Sequence, residues 1–137
     1  GFNATIKEHY VEDLSPIAVV PQDISRAILN IVNNAFYAIW ERSKTEGEDY
    51  KPTIDICTSE EGEELSIIIG DNGNGMTDEV KAKLYDNFFT TKPVGHGTGL
   101  GMAITRNIID QHHGRIEFSS VEHEGTRFSL IIPIAKK

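Results

Sequence analysis

The 137-residue chain has one cysteine, one tryptophan, five prolines and no excess of basic residues. Each shortage removes a class of explanation. Cys57 alone cannot form an intramolecular disulfide or a cysteine-only zinc cage, and it suits a reducing compartment. With 13 Lys and Arg against 21 Asp and Glu, the formal net charge is −8. That is not the basic footprint of a nucleic-acid binder or of a module for anionic membranes. No apolar run approaches the ~18 residues of a membrane span; Ile67–Ile69 and Leu130–Ile132 are short. No basic-then-apolar leader is visible, so a cytoplasmic setting is expected, and residues 1–137 read as a single domain cut from something longer. What remains is 39% hydrophobic and 25% charged, the make-up of a globular domain able to bury a core.

Periodicity outlines the elements. Phe2, Ala4 and Ile6 alternate, which predicts a half-buried strand over residues 2–9. A short apolar stretch, Ile17–Val20, leads to Pro21. Beyond it Ile24, Ile28, Ile31, Val32, Ala35 and Ile39 share one helical face, predicting a helix to about Arg42 with Asp23 or Ser25 as its cap. Ser43–Lys51 reads as charged loop. Ile54 and Ile56 mark one strand and Leu65–Ile69 another, joined by a hairpin over Glu60–Glu64 centred on Gly62. A brief helix is expected over Asp78–Tyr85, capped by Thr77. A longer one is expected over about Leu100–His112, with Gly114 as its left-handed terminator. Ile116 and Phe118, then Phe128, Leu130 and Ile132, make two closing strands hinged near Glu124 and Gly125. The order predicts an α+β fold: a two-layer α/β sandwich with helices on one face of a mixed, mainly antiparallel sheet.

Seven of the 12 glycines fall between Gly70 and Gly101, where they would permit close approach to a ligand. Four elements in and before this region carry chemistry. Asn30 and Asn34 lie one helical turn apart with Asn33 beside them, and a side-chain carbonyl there could ligate a hard cation such as Mg²⁺. In Gly70-Asp71-Asn72-Gly73-Asn74-Gly75-Met76, Asp71 follows a buried strand, where a carboxylate needs a donor such as a purine amino group. Asn87–Pro93 holds Phe88, Phe89, Thr90, Thr91 and Lys92, the last a point charge suited to phosphate. Gly95–Gly101 is a glycine-rich turn feeding a helix N-terminus, an arrangement that favours anions. Singly, each has a plainer reading: a solvated polar face, an acidic turn, a loop anchored by phenylalanines, a flexible loop. A calcium loop counted from Asp71 fails, with Gly73 at its third position and Ala82 at its twelfth. No Gly precedes a Lys as a Walker A loop requires, and Leu100 and Met102 break the dinucleotide spacing.

In this order the four resemble the nucleotide-binding domain of two-component sensor histidine kinases, within the superfamily of gyrase, Hsp90-type and MutL-type ATPases (the Bergerat-type fold). Asn30–Ala35 resembles the Asn box, Asp71–Met76 the first glycine box, Asn87–Pro93 the phenylalanine box and Gly97–Gly101 the second glycine box. Gly125–Pro133 is similar to the closing strand, so the resemblance covers about residues 17–133.

The resemblance implies ATP and Mg²⁺ as ligands. Asn34 would be the metal ligand, and Asp71 would accept from the adenine amino group with Gly75 behind the ring. Thr98, Gly99, Leu100 and Gly101 would give backbone donors to the phosphates, under a lid of about residues 85–99. Tyr37, Gly73, Met76, Phe88, Thr90, Thr91 and Gly97 complete the implied nucleotide-binding set. Family members often carry Lys three positions after the metal Asn; here that position is Tyr37, and Lys92, in a nitrogen-sensor-like lid, is the candidate for its charge. Asn30 stands where hydrolysing relatives have a glutamate, and an amide cannot be a general base. With Asn30, Asn34 and Lys92 as catalytic residues, the implied activity is phosphoryl transfer to a histidine on a separate dimerisation domain, then to a response-regulator receiver domain. His9, His96, His112, His113 and His123 all lack the setting of such an acceptor, so the chain is expected to bind ATP without labelling itself. This fragment is expected to be a monomer and the full protein a homodimer, with no nucleic acid and no direct membrane contact. A stand-alone ATPase and a nucleotide-responsive interaction module are the rival readings.

Overall fold

Hydrophobic periodicity is realised in a computed structural model that describes residues 4–9, 21–86 and 101–133. The elements are β1 (Thr5–His9), α1 (Pro21–Ser43), β2 (Thr53–Glu61), β3 (Glu64–Asp71), α2 (Asp78–Ala82), α3 (Gly101–Gln111), β4 (Arg115–Val121) and β5 (Gly125–Pro133). The strands form one sheet in the order β1-β2-β3-β5-β4. Only β1 and β2 run parallel, with Thr5 opposite Thr53; the other pairs are antiparallel.

The core lies between one face of this sheet and the helices α1 and α3. Alternation turns Ile54 of β2, Leu65, Ile67 and Ile69 of β3, and Phe128, Leu130 and Ile132 of β5 to the same side. Onto them pack Ile24, Ala27, Ile31, Ala35 and Ile39 of α1 and Met102, Ile108 and Ile109 of α3. Tyr85 reaches this layer edge-on to Phe118, 6.3 Å between ring centroids, with the Arg106 guanidinium 4.9 Å over its ring. The two-layer, mainly antiparallel sandwich expected from the sequence is therefore the observed architecture.

Several local expectations are corrected. All five residues of β1 are exposed, not half-buried, because β1 is an edge strand with Ile6 left 45% exposed. Helix α1 already begins at Pro21, which places Asp23 in its first turn and Ser25 inside the helix, so neither caps it. The β2–β3 turn shrinks to Gly62 and Glu63, with Gly62 at φ 57°. Thr77 does cap α2, accepting from the Val80 N–H at 3.2 Å, but the helix ends at Ala82.

At the end of α3 the left-handed residue is His113, φ 61°, and not Gly114. The His113 N–H donates to the Asp110 carbonyl and the Gly114 N–H to the Ile109 carbonyl, each at 3.0 Å, a Schellman closure with histidine at the position glycine usually takes. Gly114 is needed for another reason: a Cβ there would collide with the Ile131 carbonyl oxygen. The expectations for Ile17–Val20, for Phe88, Thr90, Thr91, Lys92, Gly97, Thr98, Gly99 and Leu100, and for His96 lie outside the described residues.

Candidate functional site

Asp71 is the last residue of β3, where the sheet stops and the chain turns under α1. Its Oδ1 accepts from the Gly73 N–H at 2.8 Å, and the backbone N–H of Thr126, its partner on β5, points to the same carboxylate. Burial pushes the carboxyl up to about 6, and these two donors only partly offset it. The result is a carboxylate held rigidly at the rim of the core, able to accept a further hydrogen bond.

The loop after Asp71 is fastened from three directions. Arg42, at the end of α1, donates to the carbonyls of Asn72 at 2.9 Å and Gly73 at 3.2 Å, with its guanidinium 4.9 Å over the Tyr50 ring. From the β2 side, the Asn72 amide accepts from the Thr53 N–H at 2.8 Å and donates to the Lys51 carbonyl at 2.8 Å. Tyr50 adds its hydroxyl to the Asn72 carbonyl at 2.9 Å. From the β4–β5 hairpin, Ser120 Oγ on β4 accepts the Met76 N–H at 2.8 Å, and the Asn74 carbonyl accepts from the His123 N–H of the turn at 2.6 Å. Gly75, at φ 70°, lies so close to the Val121 carbonyl that any side chain would collide with it.

Helix α1 carries the asparagine stripe. Asn30 Nδ2 donates to the Gly101 carbonyl at 3.2 Å and to Thr105 Oγ1 at 3.1 Å, joining α1 to the first turn of α3. Asn34 and Tyr37 follow on the same side of the helix, both half-buried, and the Tyr37 hydroxyl is hydrogen-bonded to Glu41. Among the described residues no three His, Cys, Asp or Glu side chains cluster as a metal site. A cation held here would draw on an amide oxygen and on ligand oxygens, as Mg²⁺ bound through a nucleotide does. A shallow depression of about 740 Å³, with Lys7, Asp55, Gly70 and Arg127 in its lining, also borders Asp71 and Thr126 but includes none of the α1 asparagines.

The fold thus brings Gly73 and Met76 to Asp71's end of the sheet and Gly101 to Asn30. Sequence reasoning missed Arg42, Tyr50, Thr105 and Ser120. Ser120 and Thr105 did carry a signal: each is a polar residue in a core-facing register, Ser120 alternating with Ile116 and Phe118. Arg42 and Tyr50 carried none, since their partners are backbone carbonyls distant in sequence.

Comparison with known proteins identifies the family. Residues 19–136 match the family described as histidine kinase-, DNA gyrase B-, and HSP90-like ATPase. The chain is 32% identical over 123 residues to the sensor histidine kinase ZraS of Escherichia coli O157:H7, covering 90% of this chain and 24% of that protein. It is 33% identical to the sensory histidine kinase/phosphatase NtrB of Rhizobium meliloti (strain 1021), over 99% of this chain and 37% of NtrB. Among solved structures, the catalytic domain of the histidine kinase ThkA superposes with a TM-score of 0.76 at 28% identity, over 95% of this chain and 80% of that one. The mycobacterial sensor histidine kinase MprB, at 18% identity and a TM-score of 0.71, shares the fold. The chain spans well under half of ZraS and NtrB. On these matches the chain belongs to the histidine kinase-, DNA gyrase B- and HSP90-like ATPase family and is an ATP-binding catalytic domain of the sensor histidine kinase type.

Proposed function

We propose that this domain binds ATP with Mg²⁺ and donates the γ-phosphoryl group to a histidine on a separate helical dimerisation domain, for relay to an aspartate of a response regulator. In that transfer the bond between the β–γ bridging oxygen and the γ-phosphorus breaks and a bond from imidazole nitrogen to phosphorus forms. ADP leaves, and the imidazole gives up its proton. The observation that carries the reading is Asp71, a partly buried carboxylate fixed by the Gly73 and Thr126 N–H groups at the mouth of the sheet. It suits the exocyclic amino group of adenine, a donor that a buried carboxylate accepts well.

Asn34 is the proposed metal-holding residue, with Tyr37 nearby and Lys92 and residues 97–101 at the phosphates. Mg²⁺ would neutralise phosphate charge there. Asn30 separates transfer from hydrolysis. It has no basic atom to activate water, and its amide hydrogens are engaged by Gly101 and Thr105. The chain therefore holds ATP for a protein acceptor.

Titration calorimetry with a non-hydrolysable ATP analogue tests this. Saturable one-to-one binding is expected, lost in Asp71→Asn and stripped of its Mg²⁺ dependence in Asn34→Ala. Absence of binding by the wild-type chain refutes the reading. Unchanged affinity of Asn34→Ala with Mg²⁺ refutes the metal assignment alone. Incubation with γ-labelled ATP should leave this chain unlabelled and label an added dimerisation domain.

A further inference from the structure

Helices α1 and α3 meet largely through aliphatic side chains, Ile24, Ala27 and Ile31 on one and Met102, Ile108 and Ile109 on the other belonging to one apolar cluster. Apolar contacts alone are non-directional and define the register between two helices only loosely. One polar group interrupts them. Thr105 is fully buried, and with Ser120 it makes up the buried polar side chains of the described residues. Its hydroxyl donates to the Gly101 carbonyl at 2.7 Å and accepts from Asn30 Nδ2 at 3.1 Å. Asn30 Nδ2 also reaches the Gly101 carbonyl, at 3.2 Å, closing a triangle between the two helices. The Asn30 side chain sits directly against Gly101, where an added Cβ would stand 3.9 Å from Asn30 Cγ. A buried network with every member satisfied rigidifies its surroundings. This one lies where the asparagine stripe of α1 faces the opening turn of α3.

We infer that Thr105 is a positioning residue: its hydroxyl pins the first turn of α3 to Asn30 and sets the spacing between the backbone entering α3 and the α1 side chains that hold the triphosphate. The inference rests on the nucleotide reading above. Thr105 touches no ligand; it acts through Asn30 and Gly101. Val at this position keeps the shape and loses the hydroxyl, whereas Ser keeps the hydroxyl and loses a methyl group. The two substitutions therefore separate pinning from packing.

The test measures the affinity of the 137-residue chain for the Mg²⁺ complex of a non-hydrolysable ATP analogue, with thermal melting of each ligand-free variant alongside. Thr105→Val is expected to weaken binding by about fivefold to tenfold, the effect of one buried hydrogen bond, while Thr105→Ser stays within about twofold of wild type. Equal losses in both variants would reduce Thr105 to packing and overturn the inference, as would no loss in Thr105→Val. Should Thr105→Val melt below the assay temperature, Thr105→Ala takes its place against Thr105→Ser under the same criteria. Wild-type chain that binds no nucleotide would overturn the nucleotide reading itself, a result distinguishable from either failure of the pin.

Discussion

Ionising Asp71 in the folded chain works against its surroundings. Burial lifts the carboxyl from its ordinary 3.8 to about 6, so between those values the folded chain binds a proton that the unfolded chain releases. Asp71's contribution to stability is therefore fully present below about pH 3.8 and falls as pH rises toward about 6, after which it is flat. Melting curves of the ligand-free chain should show this slope, and Asp71→Asn should remove it. The adenine recognition proposed for Asp71 has the opposite sign, because the ionised carboxylate is the stronger acceptor. Calorimetry of the wild-type chain at about pH 5 should give nucleotide affinity several-fold weaker than at about pH 7.5. A second residue-scale consequence concerns His123. It sits at φ 68° in the β4–β5 turn with its side chain in solvent. Left-handed backbone disfavours a side chain, while glycine brings extra freedom to the unfolded chain. His123→Gly should still raise stability by roughly 0.5–1 kcal/mol in urea titrations, leaving the hydrogen bond to Asn74 in place.

Among the elements, the close of α3 depends on a contact that local sequence cannot show. Gly114 abuts the Ile131 carbonyl on β5, so Gly114→Ala must displace either the strand or the helix end. Denaturant unfolding should register a loss of about 2 kcal/mol or more, well above the propensity difference between these residues. The sequence pattern does announce a stop at His113-Gly114, but which residue turns left-handed is settled by the sheet beneath. The same division runs through the rest of the fold. The stripe on α1 and the alternation in β3 and β5 were legible because each follows from the geometry of one element. The exposure of β1 was not, because alternation says nothing about whether an edge strand is covered. Asp23 and Ser25 were credible caps until Pro21 proved to be helical already. The candidate site was legible where its residues are contiguous, as in Asp71–Met76. Its supports from Arg42, Tyr50 and Ser120 are tertiary, and only the folded chain assembles them.

For the molecule as a whole, ligand binding and folding share one equilibrium. A nucleotide that binds only the folded chain stabilises it by RT ln(1 + [L]/Kd), about 2.7 kcal/mol at a hundredfold excess over Kd. For a domain of this size that is a melting shift of roughly 8–12 °C, which a thermal scan with and without the Mg²⁺-loaded analogue should detect. Asn34→Ala should abolish the part that depends on Mg²⁺. With adenine at Asp71 as proposed, the fastenings there also determine when this stabilisation becomes available. Thr126 beside Asp71, Ser120 beneath Met76 and His123 against Asn74 all belong to the C-terminal hairpin, and each contact closes a long loop of chain. Contacts of that separation come late on the path to the native state, because chain entropy must be lost before they reward it. On that reading a chain being synthesised stays blind to nucleotide until β5 has emerged and docked. Nucleotide then acts as a latch on the finished structure: it slows unfolding and leaves the speed of folding as it was.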